Sequence, residues 1–446
     1  MKNDFLKQLL HIALPIAIQS LITSSLNMVD TIMIGRLGDS EIAAVGICNQ
    51  VYFLFMLLIF GGYSGASIFL SQYFGVKDIK NIRRVLGIMM TFGCAVAVLF
   101  TIGSLGFTKG IIGLFSTDKE VLGFGVSYLS ILSICYLASA LSFAFSFSSR
   151  SIRMTKIPMY VSAVALSINT ILNFMLIYGK FGMPMLGVRG AAIATVIARI
   201  LELVFIVIII YRMDDHPLKA KFSELRDYDF KYFLNIAKTA VPVLLNEGTW
   251  ALGMVVYFIA YGKLGKEAIA SVQIANTIMN FFTVVFMALS NSASVMIGNM
   301  IGANKFDIAI DYSRRFLIMS AKWAIGIAVG LYASSRLILS FFKISQITYD
   351  NARSILIVMA IFMLPKMFNW VMVVGVLRSG GDTRFTLILD LAGVWLVGVP
   401  LAFLGAFMGL PIYYVVALSY FEEFLKMFVS IPRYRSKKWI NNLIET

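Results

Sequence analysis

Charge is the property that this chain lacks most. Only 14% of its 446 residues are Asp, Glu, Lys or Arg, against 59% that are hydrophobic. A soluble protein covers its surface with polar groups, and this chain has too few of them. Composition therefore excludes an ordinary soluble protein and favours one that is surrounded mostly by lipid.

Cysteine and histidine are also scarce. The three cysteines, Cys48, Cys94 and Cys135, lie in apolar stretches without metal-ligand spacing, and His11 and His216 are far apart. We therefore expect no disulfide framework, no metal site, no cofactor and no catalytic residue.

Twelve apolar stretches are long enough to cross a membrane, which takes about 20 residues for about 30 Å of hydrocarbon. They cover approximately residues 10–34, 44–74, 85–108, 123–148, 158–179, 187–211, 236–262, 268–300, 316–338, 354–377, 385–408 and 411–432. The first stretch lacks a small-residue cleavage signature, so we interpret it as a helix rather than a signal peptide. The sequence therefore predicts an all-α integral membrane protein with twelve transmembrane helices.

The basic residues lie mainly in the connectors between apolar stretches. A net charge of +15 would suggest nucleic acid as a partner of a soluble protein. In short connectors, Lys and Arg instead orient the helices and contact anionic lipid head groups. Lys and Arg in one alternate set of connectors outnumber those in the other by more than two to one. We therefore expect membrane lipids and no nucleic acid as partners, and a multi-pass protein of the plasma membrane with both termini in the cytoplasm.

The two halves of the chain are related in sequence. Without a gap, one shift of register aligns Pro15 with Pro242, Gly35 with Gly262, Asn49 with Asn276 and Gly75 with Gly302, and one residue more aligns Arg150 with Arg378. Each half has an even number of spans, so both copies enter the membrane from the same side. We therefore predict two six-helix lobes related by a parallel pseudo-two-fold repeat, with substrate bound between them.

The longest charged connector joins the two halves. We predict an N-terminal six-helix lobe at 1–211, a cytoplasmic linker at 212–235, a C-terminal six-helix lobe at 236–432 and a cytoplasmic tail at 433–446. In the linker, Asp214, Asp215, His216 and Pro217 are interpreted as solvated.

Six acids fall within the predicted spans, where an ionisable group needs a wet cavity or a partner. They are Asp30, Glu202, Glu247, Asp390, Glu422 and Glu423. Asp30 has Asn27 one turn before it and no basic residue within a turn on the same face. We interpret it as a site for a proton or Na⁺. The alternative is a residue at the helix end that reaches the head groups near Arg36.

Glu247 follows Pro242, which frees a backbone carbonyl one turn earlier. Asn246 lies beside it, and Gln19 has the equivalent spacing in the first half. An amide and a carboxylate beside a helix kink are typical of a cavity-lining site. The alternative is an ion pair with a lysine of another span, such as Lys366.

Two of the acids have a basic residue on their own helix. Arg199 precedes Glu202 by three residues and Lys426 follows Glu422 by four, so both acids are interpreted as structural pairs. Asp390 stays open. Its candidate partners are Lys366 and Arg378.

Three polar residues of the fifth and sixth spans could form a site or pack between helices. Asn169 and Asn173 lie one turn apart, and Thr195 follows a run of small residues that permits close helix contact. Spacing alone leaves both interpretations open.

These features together resemble the multidrug and toxic compound extrusion (MATE) family. The residues that carry the resemblance lie at 13–15, 29–38, 172–179, 187–195 and 376–383, and the stretch 29–38, VDTIMIGRLG, is the most specific. The resemblance covers essentially the whole chain. It implies a fold of twelve helices in two lobes and antiport of organic cations or related drugs against protons or sodium.

The resemblance also implies roles for single residues. It places cation coupling at Asp30, with Asn169, Asn173 and Thr195 as further ligands. Some members have an aspartate at the position of Asn173, so the coupling ion stays open between H⁺ and Na⁺. Because Asp30 aligns with Tyr257 in the repeat, we place the coupling site in the first copy.

A second set of residues is assigned to substrate or to a cation in the second lobe. Glu247 matches a glutamate of sodium- or drug-coupled members, and we group it with Asn246, Gln19 and Tyr257. Those members also have an acid in the tenth span, where this chain has Lys366. The resemblance to a sodium site is therefore weaker in this lobe.

We predict a secondary active antiporter, not an enzyme. It would act as a monomer and export organic cations, drugs or related metabolites in exchange for H⁺ or Na⁺ by alternating access. One alternative is a flippase for a lipid-linked sugar, which would need a larger basic cavity than Lys366 and Arg199 offer. A remote alternative is an integral membrane enzyme acting on lipids, but the sequence has no cluster of acids, histidines or metal ligands for it.

Overall fold

The computed structural model describes residues 2–340, 342 and 344–445, and most of them are helical. Met1 and Thr446, the ends of the predicted lobe and tail, lie outside the described residues. The helices of the first half are α1 (Lys2–Gly35), α2 (Asp39–Gly75), α3 (Ile79–Gly106), α4 (Thr108–Gly113), α5 (Lys119–Leu132), α6 (Cys135–Ser151), α7 (Lys156–Tyr178), α8 (Val188–Arg212) and α9 (Phe222–Leu225). Those of the second half are α10 (Phe230–Gly262), α11 (Lys266–Gly302), α12 (Phe306–Leu339), α13 (Gln346–Ile361), α14 (Met363–Trp370), α15 (Thr383–Leu391), α16 (Val399–Phe407), α17 (Ile412–Ser419) and α18 (Phe421–Arg435).

Each of the twelve predicted spans coincides with one helix or with a broken helix. Within the described ranges, nine helices are long and apolar enough to cross a membrane, or up to eleven spans if each of two bent pairs counts as one. The bent pairs are α5 with α6, at 49°, and α13 with the stretch Met363–Gly380, at 55°. The twelfth predicted span, 411–432, is divided between α17 and α18, and the charged residues of α18 lower its hydropathy.

Two helices of the second half contain π-helical turns. These are the segments Val371–Leu377, which follows α14, and Ala392–Gly398, which lies between α15 and α16. A π turn is rare and commonly marks a functional position, because it shifts the register of the side chains that follow.

The outer and inner faces have the polarity expected of a protein in lipid. On α3, Leu99 and Ile102 are about two thirds exposed. Every serine of α6 is buried, Ser139 and Ser148 completely. Small polar residues permit close helix packing, whereas large apolar side chains face the hydrocarbon.

The chain divides into two compact units. The N-terminal unit comprises Leu14–Leu70 and Asp78–Ala237, and the C-terminal unit comprises Met1–Ala13, Ser71–Lys77 and Lys238–Thr446. The predicted lobe boundaries stay a prediction.

Contacts explain why the two short N-terminal segments belong to the C-terminal unit. The ring of Phe5 lies 5.2 Å from those of Tyr312 and Phe316 on α12. The amide of Gln72 donates to the main-chain oxygen of Ser379 at 3.2 Å.

The linker is not solvated throughout, so the interpretation of His216 and Pro217 as solvated was wrong. Both are buried with Leu218, whose N–H donates to Nδ1 of His216 at 3.1 Å. Asp214 and Asp215 are exposed, as the sequence predicted.

The linker is held against α3 by ion pairs and by a close backbone approach. Arg83 binds Glu224 at 2.6 Å and Arg84 binds Asp227 at 2.8 Å. A Cβ at Gly87 would lie 1.8 Å from the main-chain oxygen of Leu225, so only glycine lets the linker pack this closely.

Candidate functional site

The carboxylate of Asp30, on α1, is held by amides of α7. Nδ2 of Asn173 donates to Oδ1 of Asp30 at 2.9 Å. Hydrogen bonding fixes the amide of Asn169 with its nitrogen toward the acid, where it donates to Oδ2 at 2.8 Å. In that orientation, the amide oxygen of Asn169 accepts from the main-chain N–H of Thr195 at 3.3 Å. The structure therefore brings together all four residues of the predicted coupling site.

Helix geometry explains how three elements reach one carboxylate. Asn169 and Asn173 are four residues apart on α7 and so share a face. Residues at the start of α8 are small, and a Cβ at Gly190 would lie 2.5 Å from the main-chain oxygen of Leu176 on α7. This close packing places Thr195 beside Asn169. The hydroxyl of Thr195 donates to the main-chain oxygen of Ala191 at 3.0 Å, so only its lone pairs are available to a ligand.

The four residues line a cavity of about 450 Å³ within the N-terminal unit. Its other polar lining residues are Asn27, Thr31, Asn49, Tyr52, Tyr128 and Arg199. The sequence did not identify Asn49, Tyr52 or Tyr128 as site residues, because aromatic and single polar residues in a span usually pack between helices. The cavity is large enough for a hydrated ion.

One acceptor at the site has no partner. Oδ1 of Asn173 is buried and accepts no hydrogen bond from any described residue, and the side chain is 2% exposed. Buried amide oxygens in proteins are nearly always satisfied. The site therefore has room for one more donor or for a cation beside the carboxylate.

A chain of hydrogen bonds also links α1 with α7 and α8. Gln19 donates to Ser162 at 2.8 Å, and Ser162 donates to Glu202 at 2.8 Å. Glu202 pairs with Arg199 at 2.8 Å, which confirms the structural pair predicted from sequence. Arg150 donates to the amide oxygen of Gln19, also at 2.8 Å. Both polar atoms of the Gln19 side chain are therefore engaged within the N-terminal unit.

In the C-terminal unit, Glu247 is neutralised by an arginine. Nη1 of Arg378 lies 2.8 Å from Oε1 of Glu247, and both side chains are largely buried. The alternative prediction, that Lys366 pairs with Glu247, was wrong. Its ammonium instead lies 4.6 Å from the ring centroid of Tyr420 and 3.4 Å from that hydroxyl.

Asn246 and Tyr257 belong to a separate network that contains Asp390. Asn246 donates to Oδ2 of Asp390 at 2.8 Å, and Tyr257 donates to Oε2 of Glu422 at 2.9 Å. Lys426 lies 3.2 Å from Asp390 and 3.5 Å from Glu422. The predicted pair of Glu422 with Lys426 is confirmed. Both candidate partners of Asp390 were wrong, because its cation comes from α18.

The sequence profile of the MatE family matches the chain twice, over residues 15–175 and 242–404. The two matches begin at Pro15 and Pro242, which the repeat register pairs, so the internal duplication is confirmed.

Related proteins match nearly the full length. The uncharacterized transporter YisQ of Bacillus subtilis is 27% identical over 440 residues, covering 96% of this chain and 93% of that protein. The probable multidrug resistance protein YoeA of the same organism is 28% identical over 422 residues, covering 91% and 90%.

A crystal structure of a mutant of the Vibrio cholerae MATE transporter VcmN covers 98% of each chain, with a TM-score of 0.88 at 19% identity. This likeness confirms the predicted all-α membrane fold of twelve helices in two lobes.

Proposed function

The chain belongs to the MatE family of membrane transporters, and on that premise we propose that it is a secondary active antiporter that exports organic cations or related drugs. The name of its relative YoeA, a probable multidrug resistance protein, supports the substrate class. The coupling ion is H⁺ or Na⁺. We further propose that the protein acts as a monomer in the plasma membrane with both termini in the cytoplasm.

The coupling ion binds at Asp30, and the observation that supports this best is the unpartnered Oδ1 of Asn173. A cation beside the carboxylate would supply its missing partner. It would also neutralise a charge that is costly in a membrane. The amide oxygen of Asn173 and the hydroxyl of Thr195 would act as neutral oxygen ligands around that single charge, and Asn169 would hold the carboxylate through its amide nitrogen.

Exchange requires that ion and drug bind the two orientations of the transporter with different affinities, because a ligand with equal affinity for both states shifts nothing. An outward-facing state binds the cation at Asp30, and drug leaves. The cation then dissociates toward the cytoplasm, and drug binding favours the return.

Charge at the cavity favours an exporter over a flippase for a lipid-linked sugar. Such a flippase would need basic groups free to bind phosphate. The guanidinium of Arg199 lines the cavity but is paired with Glu202 at 2.8 Å.

The decisive test is ethidium efflux from vesicles energised separately by a proton gradient and by a sodium gradient. Wild-type protein should respond to one of the two gradients. Asp30→Asn keeps the size of the side chain but removes its charge, and it should abolish gradient-driven efflux at normal expression. The matched control is Asp39→Asn, which changes an exposed acid at the start of α2 and should retain efflux.

Two outcomes would contradict the proposal. Gradient-driven efflux in Asp30→Asn at the wild-type rate would exclude this residue as the coupling site. A wild-type protein that responds to neither gradient, with ethidium or other organic cations, would exclude cation-coupled export.

A further inference from the structure

The C-terminal unit contains a group of charged residues that the proposed function does not use. We call it the C-unit cluster, and its members are Lys366 on α14, Asp390 on α15, and Glu422, Glu423 and Lys426 on α18. All five lie within predicted spans. An ionisable group in such a position is costly unless it is neutralised.

Lys426 lies between two carboxylates. Its ammonium is 3.2 Å from Oδ1 of Asp390 and 3.5 Å from Oε1 of Glu422. The side chains of Lys426 and Glu422 are only 6% and 5% exposed, and that of Asp390 is 16% exposed. One ammonium thus serves two acids that are shielded from water.

The rest of the C-unit cluster does not remove the imbalance. Glu423 accepts a hydrogen bond from Asn369 at 2.9 Å, and the ammonium of Lys366 contacts Tyr420. Glu247 is already neutralised by Arg378. Two ammonium groups therefore face three carboxylates, which leaves one excess negative charge.

One buried acceptor beside Glu423 also lacks a donor. Asn369 is 4% exposed, and its Oδ1 accepts no hydrogen bond from any described residue. A buried acceptor without a partner costs about 1–3 kcal/mol. This acceptor adjoins Glu423, whose carboxylate accepts from the same amide. The excess negative charge of the C-unit cluster would be balanced by one additional proton.

A proton fits this place better than a metal ion. Each carboxylate oxygen of Asp390 and Glu422 already accepts from a donor. The donors are Lys426 to both acids, Asn246 to Asp390 and Tyr257 to Glu422. A sodium ion would need several free oxygen ligands and would lie against the ammonium of Lys426, whereas a proton needs one acceptor.

Of these partners, only Tyr257 can accept a hydrogen bond from a protonated acid without rotation of its polar group. An ammonium and an amide NH₂ can only donate, but a phenol oxygen can also accept. Tyr257 is 2.9 Å from Oε2 of Glu422. A protonated Glu422 can therefore donate to the oxygen of Tyr257, while the neighbouring Tyr261 is engaged by Ser419 at 2.9 Å.

The π-helical segment Ala392–Gly398 leaves the space that this contact needs. A Cβ at Gly398 would lie 1.8 Å from the hydroxyl oxygen of Tyr257 and 2.8 Å from Oε2 of Glu422. A Cβ at Gly393 would lie 2.5 Å from Cε of Lys426. The irregular turn thus places backbone without side chains against the acid, the phenol and the ammonium.

We propose that Glu422 is a proton-binding site of the C-terminal unit and that its bound proton is donated in a hydrogen bond to Tyr257. The proton comes from water and returns to it, so the carboxylate gains and loses one positive charge without any other reactant. This inference goes beyond the proposed coupling at Asp30, because proton binding at Glu422 is measured without transport.

The test is infrared difference spectroscopy of the purified full-length protein in lipid nanodiscs, between neutral and alkaline pH. The wild-type protein should show the C=O stretch of a protonated carboxyl at neutral pH and lose it at alkaline pH. Asp30→Asn removes any contribution of a proton bound at Asp30, and Glu422→Gln should abolish the band that remains in that background. Glu423→Gln, which changes the adjacent acid of α18, should retain it.

A second variant keeps the proposal testable if Glu422→Gln does not fold, as judged by size-exclusion chromatography. Tyr257→Phe removes the oxygen that accepts the hydrogen bond, so the carboxyl band should move to higher frequency. No wild-type band, or a band that is lost in Glu423→Gln, would overturn the proposal. A band that is unchanged in both Glu422→Gln and Tyr257→Phe would also overturn it. Failed efflux by the wild-type protein would contradict the proposed antiport and leave this result standing.

Discussion

The side chains that hold the carboxylate of Asp30 are neutral amides, so Asp30 supplies the only negative charge among the four residues of the predicted coupling site. Asn169 and Asn173 each donate to one oxygen of the carboxylate, and neither adds a negative charge. One monovalent cation is therefore enough to neutralise the acid. A second carboxylate at Asn173 would create a demand for one more positive charge.

The ion pair of Arg199 and Glu202 should stabilise the N-terminal unit. Glu202→Ala leaves the guanidinium without its partner and removes the acceptor of Ser162, whose hydroxyl donates to Glu202 at 2.8 Å. Breaking a buried pair by removing one partner costs about 3–5 kcal/mol. We expect a lower midpoint of thermal unfolding for Glu202→Ala in detergent.

The control for this prediction is Glu202→Gln, which keeps an acceptor for Ser162 and should cost less. If Glu202→Ala unfolds at the wild-type temperature, the pair does not stabilise the fold.

Ion pairs within one helix were predictable, but ion pairs between helices were not. Spacing of three or four residues fixes side chains on one face, which is why the pairs of Glu202 and Glu422 followed from sequence. Glu247 is 131 residues from Arg378, and their contact depends on how α10 packs in its unit. From sequence, an ion pair of Glu247 was only the alternative to a cavity-lining site, and the example given for its partner, Lys366, was wrong.

At the scale of elements, the two halves have equivalent hydrogen bonds between aligned positions, but the charges at these positions differ. In the repeat register Gln19 aligns with Asn246, Ser162 with Asp390 and Arg150 with Arg378. The first helix of each half donates an amide hydrogen bond to the aligned position of the fifth span, at 2.8 Å in both units. A serine in one half and an aspartate in the other make the first network neutral at this point and the second one charged.

The π-helical segments are the elements that apolar patterning could not predict. Val371–Leu377 and Ala392–Gly398 are apolar, and a continuous apolar run is read as a regular helix. The inserted turn depends on tertiary contacts, such as those of Gly393 and Gly398. The spans were therefore predicted, but not the irregular turn whose glycines pack against Lys426 and Glu422.

The linker should respond to pH through His216. Burial lowers the pKa of His216 to about 4, against about 6.5 for an exposed histidine. Below pH 6.5, an opened linker binds a proton that the packed linker excludes. Packing of the linker should therefore weaken as pH falls from 6.5 toward 4, by about 1–2 kcal/mol between pH 7 and 5.

Hydrogen–deuterium exchange of residues 213–229 at pH 7 and 5, corrected for intrinsic rates, measures this effect. His216→Asn can still accept from the N–H of Leu218 but does not titrate, so its protection should change less with pH. The main-chain N–H of Lys221 and the guanidinium of Arg83 hold the pKa of Glu224 below its ordinary range, so that anchor stays charged at pH 5. Equal pH dependence in both proteins would exclude His216 as the cause.

At the scale of the whole molecule, composition was enough to predict a membrane protein, and the apolar stretches along the chain predicted its twelve helices. The duplication followed from sequence because Pro, Gly, Asn and Arg keep one register, and the two family matches begin in that register. Hydropathy was weakest for the twelfth span, where Glu422, Glu423 and Lys426 lie in α18. A span that contains charges is the one that hydropathy describes least well, and here it contains three of the five members of the C-unit cluster.

The orientation of the chain in the membrane is the remaining prediction. It follows from the distribution of Lys and Arg between the connectors. Connectors rich in basic residues stay in the cytoplasm, which places the linker inside and the connector at Lys119 outside. Asp215→Cys and Lys119→Cys, each in a protein whose Cys48, Cys94 and Cys135 are replaced by serine, introduce one exposed thiol on each side. A membrane-impermeant maleimide should label Lys119→Cys in intact cells and Asp215→Cys only after permeabilisation. The reverse pattern would place both termini outside the cell, and the charge distribution would then not orient this protein.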